Sequence, residues 1–136
     1  MSVKNKQQNQ KTPNQEQNFS IKHRLLSQSQ QQFVRDVSSL IDLAKVIGVE
    51  LTFGEAFRPQ VTENYYVSIG RSHTTDSYHT KRLAIDFNYF IENQLVYKHE
   101  KIDLLGKFWE GISPRNHWGG NFKGFYDGGH FEKHTD

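Results

Sequence analysis

The clearest pattern along the chain is a helical repeat of apolar positions. Apolar side chains spaced by three or four residues fall on one face of a helix, and a glycine just beyond them is a common C-terminal cap. Gly48 occupies that place, so the pattern predicts one amphipathic helix. A shorter helix is expected before it, around Ile21 and Leu25, with the polar residues 28–32 at its end. The repeat consists of Phe33, Val37, Leu40, Ile41, Ala44 and Ile47.

Two later segments alternate with the period of a β-strand, in which successive side chains point to opposite faces. In the first, Val49, Leu51 and Phe53 alternate with polar residues and predict a strand with one buried face. In the second, which covers residues 83–89, Asp86 falls on the face opposite to the apolar one. The apolar face of this second strand consists of Leu83, Ile85, Phe87 and Tyr89.

The rest of the pattern predicts a small α+β domain. Residues 92–94 are expected to form a hairpin turn and residues 95–97 the returning strand, and a further amphipathic helix ends near Gly111. Residues 60–77 are polar and aromatic, and we expect a helix or loop there that covers one side of a cleft. Together these elements favour a single domain with an antiparallel sheet flanked by helices.

Composition limits both the domain organisation and the chemistry. A chain of 136 residues fits one domain. Its beginning is rich in Gln, Asn and Lys, so we expect a disordered polar leader over residues 1–18 and a folded domain over residues 19–136. The absence of cysteine excludes disulfides, thiolate zinc ligands and a cysteine nucleophile. The formal net charge of +2 is too small to indicate a nucleic-acid partner by itself.

His79 and Asp86 form the first candidate site. His79 precedes the second strand on a polar turn, and Asp86 lies within the strand on its non-core face, so the two side chains can converge at one edge of the sheet. A buried carboxylate requires a partner, and a metal ion is one such partner. An ion pair between Asp86 and Arg82 or a lysine is an alternative that this segment alone leaves open.

The segment Asp127-Gly128-Gly129-His130 forms the second candidate site. It places a carboxylate three residues before an imidazole, and the two glycines permit a tight bend that aims both side chains at one point. With the first site, this gives two imidazoles and two carboxylates, the inventory of a hydrolytic zinc site with three ligands and a free base. A hairpin turn with an incidental histidine explains the segment in isolation equally well.

The ordered set of motifs resembles a known enzyme family. Ser-x-His-x(6)-Asp, then Trp-Gly-Gly, then Asp-x-x-His-Phe is similar to the VanY-like D-Ala-D-Ala carboxypeptidases and L-alanyl-D-glutamate peptidases. These are zinc peptidases that cut bacterial peptidoglycan, and several phage endolysins are among them. The resemblance covers roughly residues 34–132 and is nearest to the phage L-alanyl-D-glutamate peptidases. The matching pieces are Arg58, Gly70-Arg71-Ser72, Ser77-Tyr78-His79, Ala84-Ile85-Asp86-Phe87, Trp118-Gly119-Gly120 and Tyr126-Asp127-Gly128-Gly129-His130.

The resemblance implies a role for each site residue. Three side chains hold one zinc ion per chain in a cleft at the sheet. Asp127 is the general base, at a position where many relatives have Glu. Arg58 polarises the scissile carbonyl and holds the developing oxyanion, and Ser77 hydrogen-bonds the substrate. The implied zinc ligands are His79, Asp86 and His130.

One position departs from the family pattern. Relatives usually have glycine three residues after the first ligand, where this chain has Arg82. If the position requires a positive φ, arginine strains the turn, and if it does not, arginine adds a cation at the rim of the cleft. We expect the second case.

The resemblance implies a zinc-dependent peptidase, and we expect a phage-type endolysin that hydrolyses the L-alanyl-D-glutamate bond of the peptide stem. The alternatives are a D-Ala-D-Ala carboxypeptidase of the same family and a non-catalytic wall-binding module that uses Trp118-Gly119-Gly120 as a sugar platform. A metal-dependent nuclease would show denser basic clusters. The expected partners are peptidoglycan peptide stems, without nucleic acid, and the expected state is a monomer.

The location of the protein is predicted from its apolar runs. A secretory signal needs an apolar run of roughly 7–15 residues and a membrane span needs about 20, and the sequence contains neither. We therefore expect no signal peptide and no membrane insertion. The protein is expected in the cytoplasm of a bacterial host before its release to the cell wall.

Overall fold

A computed structural model describes residues 13–135 as three α-helices and a five-stranded antiparallel sheet. The predicted small α+β domain, with helices and an antiparallel sheet, is confirmed. Two short 3-10 helices lie at Tyr78–Lys81 and Gly119–Asn121. The main elements are, in chain order, α1 (Pro13–Val46), β1 (Glu50–Phe53), α2 (Gln60–Ser68), β2 (Ala84–Ile91), β3 (Gln94–Val96), α3 (Glu100–Ile112), β4 (Asn116–Trp118) and β5 (His130–Lys133).

Helix α1 is one continuous helix of 34 residues, not the two helices that the sequence predicts. No glycine or proline lies between Ile21 and Phe33 to end a helix, and the glutamines between them are good helix formers. The helix begins at Pro13, so it includes residues 13–18, where the glutamines favour a helix in the same way. The prediction that these residues are disordered is wrong. Residues 1–12 of the predicted leader lie outside the described residues.

Length alone does not make α1 a membrane helix. Its sequence is rich in glutamine, serine and charged residues throughout. Neither α1 nor any other helix within residues 13–135 is apolar enough over a sufficient length to cross a membrane.

Helix α1 ends in the glycine cap that the sequence predicts. Gly48 has a φ of +82°. Its N–H donates to the carbonyl of Lys45 at 3.3 Å, and the N–H of Val49 donates to the carbonyl of Ala44 at 2.9 Å. This pair of bonds is a Schellman motif, which favours glycine because a positive φ carries no Cβ penalty there. The cap turns the chain directly into β1.

Strand β2 is the centre of the sheet. The strand order is β1-β2-β5-β4, and β3 pairs with the far end of β2. In the pairing of β2 with β5, Asp86 lies opposite His130. The alternation predicted for β2 is observed, with Leu83, Ile85, Phe87 and Tyr89 all buried. The sheet therefore sets two of the predicted ligands side by side on the face away from the core.

Strand β1 departs from its predicted burial. Val49 is buried, but Phe53, which the alternation places on the same face, is 73% exposed. Strand β1 lies at an edge of the sheet, and Phe53 is its last residue. The ring of Phe53 instead contacts the ring of Phe87 across the strand pair, with centroids 5.7 Å apart.

The hairpin between β2 and β3 forms at the predicted place. Glu92 and Asn93 both have positive φ values, of 50° and 65°. Two successive left-handed residues form a type I′ turn, whose twist matches that of the flanking strands. Strand β3 begins at Gln94, one residue before the predicted start.

The core is an aromatic cluster between the sheet and helices α1 and α3. Trp109 of α3 is fully buried and contacts Phe33 of α1 and Phe131 of β5 edge-on, each at 5.6 Å between ring centroids. Its indole N–H donates to the carbonyl of Glu132 at 3.1 Å. Buried aromatic residues of this size contribute large apolar areas to stability. The other buried apolar residues of the cluster are Val37, Leu40, Ala44, Val49, Leu83, Ile85, Phe87, Tyr89, Ile102, Leu105 and Trp118.

A buried ion pair joins α1 to the sheet. The Nζ of Lys133 lies 2.9 Å from Oδ2 of Asp36 and 2.9 Å from Oδ1 of Asn116, and all three side chains are buried. Asn116 and Gln32 also donate hydrogen bonds to the carboxylate of Asp36. A fully hydrogen-bonded pair of buried charges is tolerated, whereas a single buried charge is costly.

We expect Lys133→Met to lower the free energy of unfolding by about 3–5 kcal/mol, because the charge of Asp36 stays buried without its cation. Chemical denaturation at constant pH measures this loss. The matched control is Lys81→Met, which breaks a largely exposed pair with Asp76 at 3.2 Å and should change stability by less than about 1 kcal/mol. Equal effects of the two substitutions would contradict the structural role of the buried pair.

Candidate metal centre

The three predicted zinc ligands lie together in the fold. His79 is in the 3-10 helix Tyr78–Lys81, Asp86 is near the start of β2, and His130 is the first residue of β5. One nitrogen or carboxylate oxygen from each residue lies within 4.8 Å of the corresponding atoms of the other two. Residues that are far apart along the chain therefore form one cluster with the geometry to hold a metal ion.

Backbone pairing and a capped turn bring these ligands together. Asp86 and His130 face each other on adjacent antiparallel strands, so their side chains project from the same face of the sheet. Ser77 caps the 3-10 helix, and its Oγ accepts a hydrogen bond from the N–H of His79 at 3.2 Å. The Nδ1–H of His79 donates to the carbonyl of Ala56 at 2.8 Å. This bond orients the ring and leaves Nε2 facing Asp86.

Asp86 bridges the two imidazoles. Its Oδ2 lies 3.2 Å from Nε2 of His79, and its Oδ1 lies 3.0 Å from Nδ1 of His130. Burial alone raises the pKa of the Asp86 carboxyl, but the hydrogen bonds from both histidines outweigh burial and hold the pKa well below its usual range. Asp86 is therefore a carboxylate at neutral pH, paired with histidines rather than with Arg82 or a lysine.

This donor set fits a catalytic zinc ion. Such sites commonly combine three nitrogen or oxygen ligands from the protein and keep one position for water. Zinc-bound histidines also have their second ring nitrogen held by an oxygen atom. Here the carbonyl of Ala56 holds Nδ1 of His79, and a carboxylate oxygen of Glu132 holds Nε2 of His130 at 2.7 Å.

Glu132 contacts the site, although the sequence motifs assign it no role. One of its oxygens holds His130, and the other lies 2.5 Å from Nε2 of His134. The ring of His134 stacks on Tyr78 and His117, with centroids 4.5 and 3.9 Å away. The signal was present in the sequence, because residues two apart on a strand share a face. Extending β5 as a strand from His130 places Glu132 beside it.

Arg58 is held by two carboxylates close to the cluster. Its Nε donates to Glu55 at 2.8 Å, its Nη1 donates to Glu63 at 2.5 Å, and its Nη2 also donates to Glu55. Its backbone N–H donates to the carbonyl of His79 at 3.1 Å, which fixes the arginine relative to a candidate ligand. A guanidinium has five N–H bonds, so two are left for a substrate oxygen. Glu63 is fully buried on α2, and the sequence motifs predict a role for neither glutamate.

Asp127 lies on the wall of the same cleft. The cleft has a volume of about 360 Å³ and is lined by the three candidate ligands together with Arg58, Ser77 and Asp127. Burial raises the pKa of the Asp127 carboxyl, despite the opposing effect of the charge on His130. A raised pKa suits a group that accepts a proton during catalysis. The structure thus brings all six predicted site residues to one cleft, and their individual roles stay predictions.

The Trp-Gly-Gly motif positions the segment that carries Asp127. The carbonyl of Gly119 accepts a hydrogen bond from the N–H of Asp127 at 3.0 Å. The carbonyl of Gly128 accepts hydrogen bonds from the Tyr89 hydroxyl at 2.5 Å and from the Trp118 indole at 2.8 Å. Trp118 is 5% exposed, so it cannot serve as the open sugar platform of the wall-binding alternative. Its role in the fold is to support the segment that carries Asp127.

Arg82 has a positive φ, contrary to the expectation that its position does not require one. Its φ of 59° and ψ of 36° are left-handed, because the chain turns there from the 3-10 helix into β2. The position therefore has a positive φ, which favours glycine, and arginine carries a cost of roughly 1–2 kcal/mol there. Its exposed guanidinium lies over the ring of Phe57, 3.9 Å from the centroid. The arginine is thus strained and also contributes an exposed cation.

Comparison with known proteins supports the family resemblance. The sequence profile of a peptidase family described as D-alanyl-D-alanine carboxypeptidase, in peptidase group M15, matches residues 70–133. The matched segment contains the three candidate zinc ligands together with Ser77 and Asp127. This match, over somewhat less than half of the chain, bears out the resemblance to the VanY-like family that the motifs indicate and supports a peptidase.

A solved structure shows a similar fold. The L-Ala D-Glu endopeptidase ChiX of Serratia marcescens superposes with a TM-score of 0.58 and 22% sequence identity, over 73% of this chain and 78% of that chain. At this level of identity the likeness concerns the fold. No curated protein matches the chain significantly.

We expect Gly119→Ala to destabilise the protein and to impair its activity, because the added methyl group overlaps with the carbonyl of Asp127. Overpacking of this kind costs about 1–3 kcal/mol. The control is Gly111→Ala in α3, where nothing lies within 4 Å of the added Cβ and stability should rise by about 0.5–1 kcal/mol. Thermal denaturation compares the two variants. A Gly119→Ala protein as stable as its parent would contradict the close approach.

Zinc binding should release a proton from His130. Burial lowers the pKa of this imidazole, but hydrogen bonds to Asp86 and Glu132 outweigh burial and raise the pKa to about 9. A histidine ligand must be neutral, so zinc displaces this proton near neutral pH. We expect at least one proton released per chain and an apparent zinc affinity that rises with pH up to about 9. Calorimetry in buffers of different ionisation enthalpy measures the release.

The same pKa shift determines how the stability of the metal-free protein depends on pH. Charged His130 stabilises the fold fully below a pH of about 6.5, and this contribution is lost as pH rises through about 9. In the control Glu132→Gln, one of the two carboxylates is removed, so the pKa of His130 and the proton release should shift to lower pH. A zinc affinity that does not change between about pH 6.5 and about pH 9 would contradict the raised pKa.

Proposed function

We propose that the protein is a zinc-dependent endopeptidase that hydrolyses the L-alanyl-D-glutamate bond in the peptide stem of peptidoglycan. The observation that carries this proposal is the convergence of His79, Asp86 and His130 in a cleft that also contains Asp127 and Arg58. Three ligand atoms, a carboxyl group of raised pKa and a guanidinium are the parts that amide hydrolysis requires.

Each of these residues would perform a defined step. A bound zinc ion supplies Lewis acidity, which lowers the pKa of water and polarises a carbonyl. Asp127 accepts the proton of the attacking water and passes it to the leaving amine. Arg58 directs its two uncommitted N–H bonds at the oxygen that gains charge, while Glu55 and Glu63 hold its guanidinium in place. The hydroxyl of Ser77, on the cleft wall, donates a hydrogen bond to the substrate.

The choice of bond rests on two supports of different kinds. Residues 126–130 resemble the phage L-alanyl-D-glutamate peptidases, and the similarly folded ChiX is named an L-Ala D-Glu endopeptidase. The matched family is described as D-alanyl-D-alanine carboxypeptidase, so release of D-alanine is the second candidate activity. An endolysin role belongs to the same proposal, with one zinc ion in a monomer that acts on the wall after release from the host cytoplasm.

Digestion of purified peptidoglycan tests the proposal. We expect the zinc-loaded protein to expose new amino groups on D-glutamate, identified by mass spectrometry, and to leave the glycan strands intact. Asp127→Asn should retain zinc while its rate falls on the order of 10²- to 10⁴-fold, the usual contribution of a general base. Release of free D-alanine from a pentapeptide stem, without new D-glutamate amines, would establish the carboxypeptidase instead.

Zinc content separates loss of the metal from loss of the base. His79→Ala should lose both zinc and activity, because it removes a ligand, whereas Asp127→Asn should lose activity alone. Elemental analysis of each purified variant provides the comparison. Unchanged turnover of zinc-loaded Asp127→Asn would remove Asp127 from the mechanism, and full activity of the metal-free protein would overturn the dependence on zinc.

A further inference from the structure

Arg71 lies on the wall of the candidate cleft, and the end of α2 fixes its position. The N–H of Gly70 donates to the carbonyl of Val67 at 3.1 Å, and the N–H of Arg71 donates to the carbonyl of Tyr66 at 2.8 Å. Gly70 has a φ of +79°. These bonds form a Schellman motif, in which the residue after the glycine contacts the side chain where the last turn begins. The motif therefore directs Arg71 onto Tyr66.

Two guanidinium groups lie over the ring of Tyr66. The guanidinium carbon of Arg71 is 4.5 Å from the ring centroid, and that of Arg58 is 4.9 Å away. Contact with an aromatic ring holds an arginine side chain in place without neutralising its charge. Arg71 is thus a positioned cation within the cleft rather than a loose surface side chain.

The two arginines differ in their pairing. The carboxylates of Glu55 and Glu63 hold the guanidinium of Arg58. No carboxylate among residues 13–135 forms an ion pair with Arg71, which is exposed toward the cleft. Arg71 is therefore the cleft arginine whose guanidinium N–H groups are available to a ligand. A carboxylate suits such a guanidinium, because it can accept two parallel hydrogen bonds.

The cleft needs such a cation if its substrate is anionic. Four of its wall residues are acidic, namely Asp76, Asp86, Asp127 and Glu132, and they repel a carboxylate. The residue that provides the leaving amine carries a carboxylate in both candidate reactions. When the L-alanyl-D-glutamate bond is cut, this group is the α-carboxylate of D-glutamate, whose side-chain carboxyl forms the next peptide bond of the stem. When D-alanine is released, it is the C-terminal carboxylate.

We propose that Arg71 binds the carboxylate of the residue on the leaving-amine side of the scissile bond. The inference rests on the proposed peptidase function for its choice of peptides, and it adds the chemical group that the cleft selects. Arg71 acts in binding and specificity and takes no part in proton transfer.

Pairs of peptides that differ only in this carboxylate test the proposal. One pair is L-Ala-γ-D-Glu-L-Lys and its D-isoglutamine amide, and the other is a D-Ala-D-Ala pentapeptide and its C-terminal amide. The parent should prefer the acid on the order of ten- to a hundredfold in kcat/KM for the bond that it cuts. Arg71→Gln should bring this ratio close to one. Arg71→Lys should give an intermediate ratio, because lysine keeps the charge without the fork.

A matched control and a binding measurement make the result decisive. Arg35→Gln removes the same charge at an exposed position of α1 and should keep the parental ratio. A parental ratio in Arg71→Gln, or no acid preference in the parent, would overturn the proposal. If the parent cuts neither bond, the peptidase function fails. In that case the binding of the same peptides to zinc-loaded Asp127→Asn, measured by calorimetry, tests the role of Arg71. A preference for the acid that Arg71→Gln abolishes would support this role, and a preference that persists in Arg71→Gln would overturn it.

Discussion

The antiparallel register of β2 against β5 is the constraint on which the candidate site depends. Asp86 lies opposite His130, and a slip of one residue would turn one of these side chains to the opposite face of the sheet. The N–H of Phe87 donates to the carbonyl of Gly129 at 2.8 Å, which locks the strands next to this pair. On the other face, Ile85 and Phe131 are buried in the core. Core packing therefore fixes the spacing of the ligands.

The loop after β1 links this strand pair to the rest of the site through hydrogen bonds. The carbonyl of Glu55 accepts a hydrogen bond from the N–H of Asp86 at 2.8 Å, and the carbonyl of Ala56 accepts one from the ring of His79 at 2.8 Å. The N–H of Arg58 then donates to the carbonyl of His79. The side chain of Glu55 also holds the guanidinium of Arg58. One short loop thus positions a carboxylate, an imidazole and a guanidinium relative to one another.

The sequence predicts the parts of the fold that have a strong local signal. The strand alternation around Asp86 and the glycine cap at Gly48 each reflect backbone geometry, which a single segment expresses by itself. The three candidate ligands and Asp127 are predicted by an ordered set of motifs. Residues 28–32 carry no apolar signal, so the sequence does not show that α1 continues through them.

The sequence does not predict the two glutamates that hold Arg58, Glu55 and Glu63, for a different reason. The chain has fifteen acidic residues, and nothing local marks Glu63 as the one that is fully buried. Its burial depends on Arg58 and Ser72, which reach it from other segments at 2.5 Å each. A carboxylate is tolerated inside a protein only with such partners, and partners from other elements exist only once the chain has folded.

The excess of carboxylates around the cluster suits it to a cation. Asp86 and Glu132 both contact the ring of His130, and without a metal their charge is met by the proton that this ring retains. A dication at the same donors would replace that proton and would also favour the ionised form of nearby Asp127, whose pKa burial raises. The proton on His130 and a metal ion are therefore alternative occupants of one electrostatic site. A dication bound there, and not the carboxylates that would attract it, would keep Asp127 ionised to accept a proton.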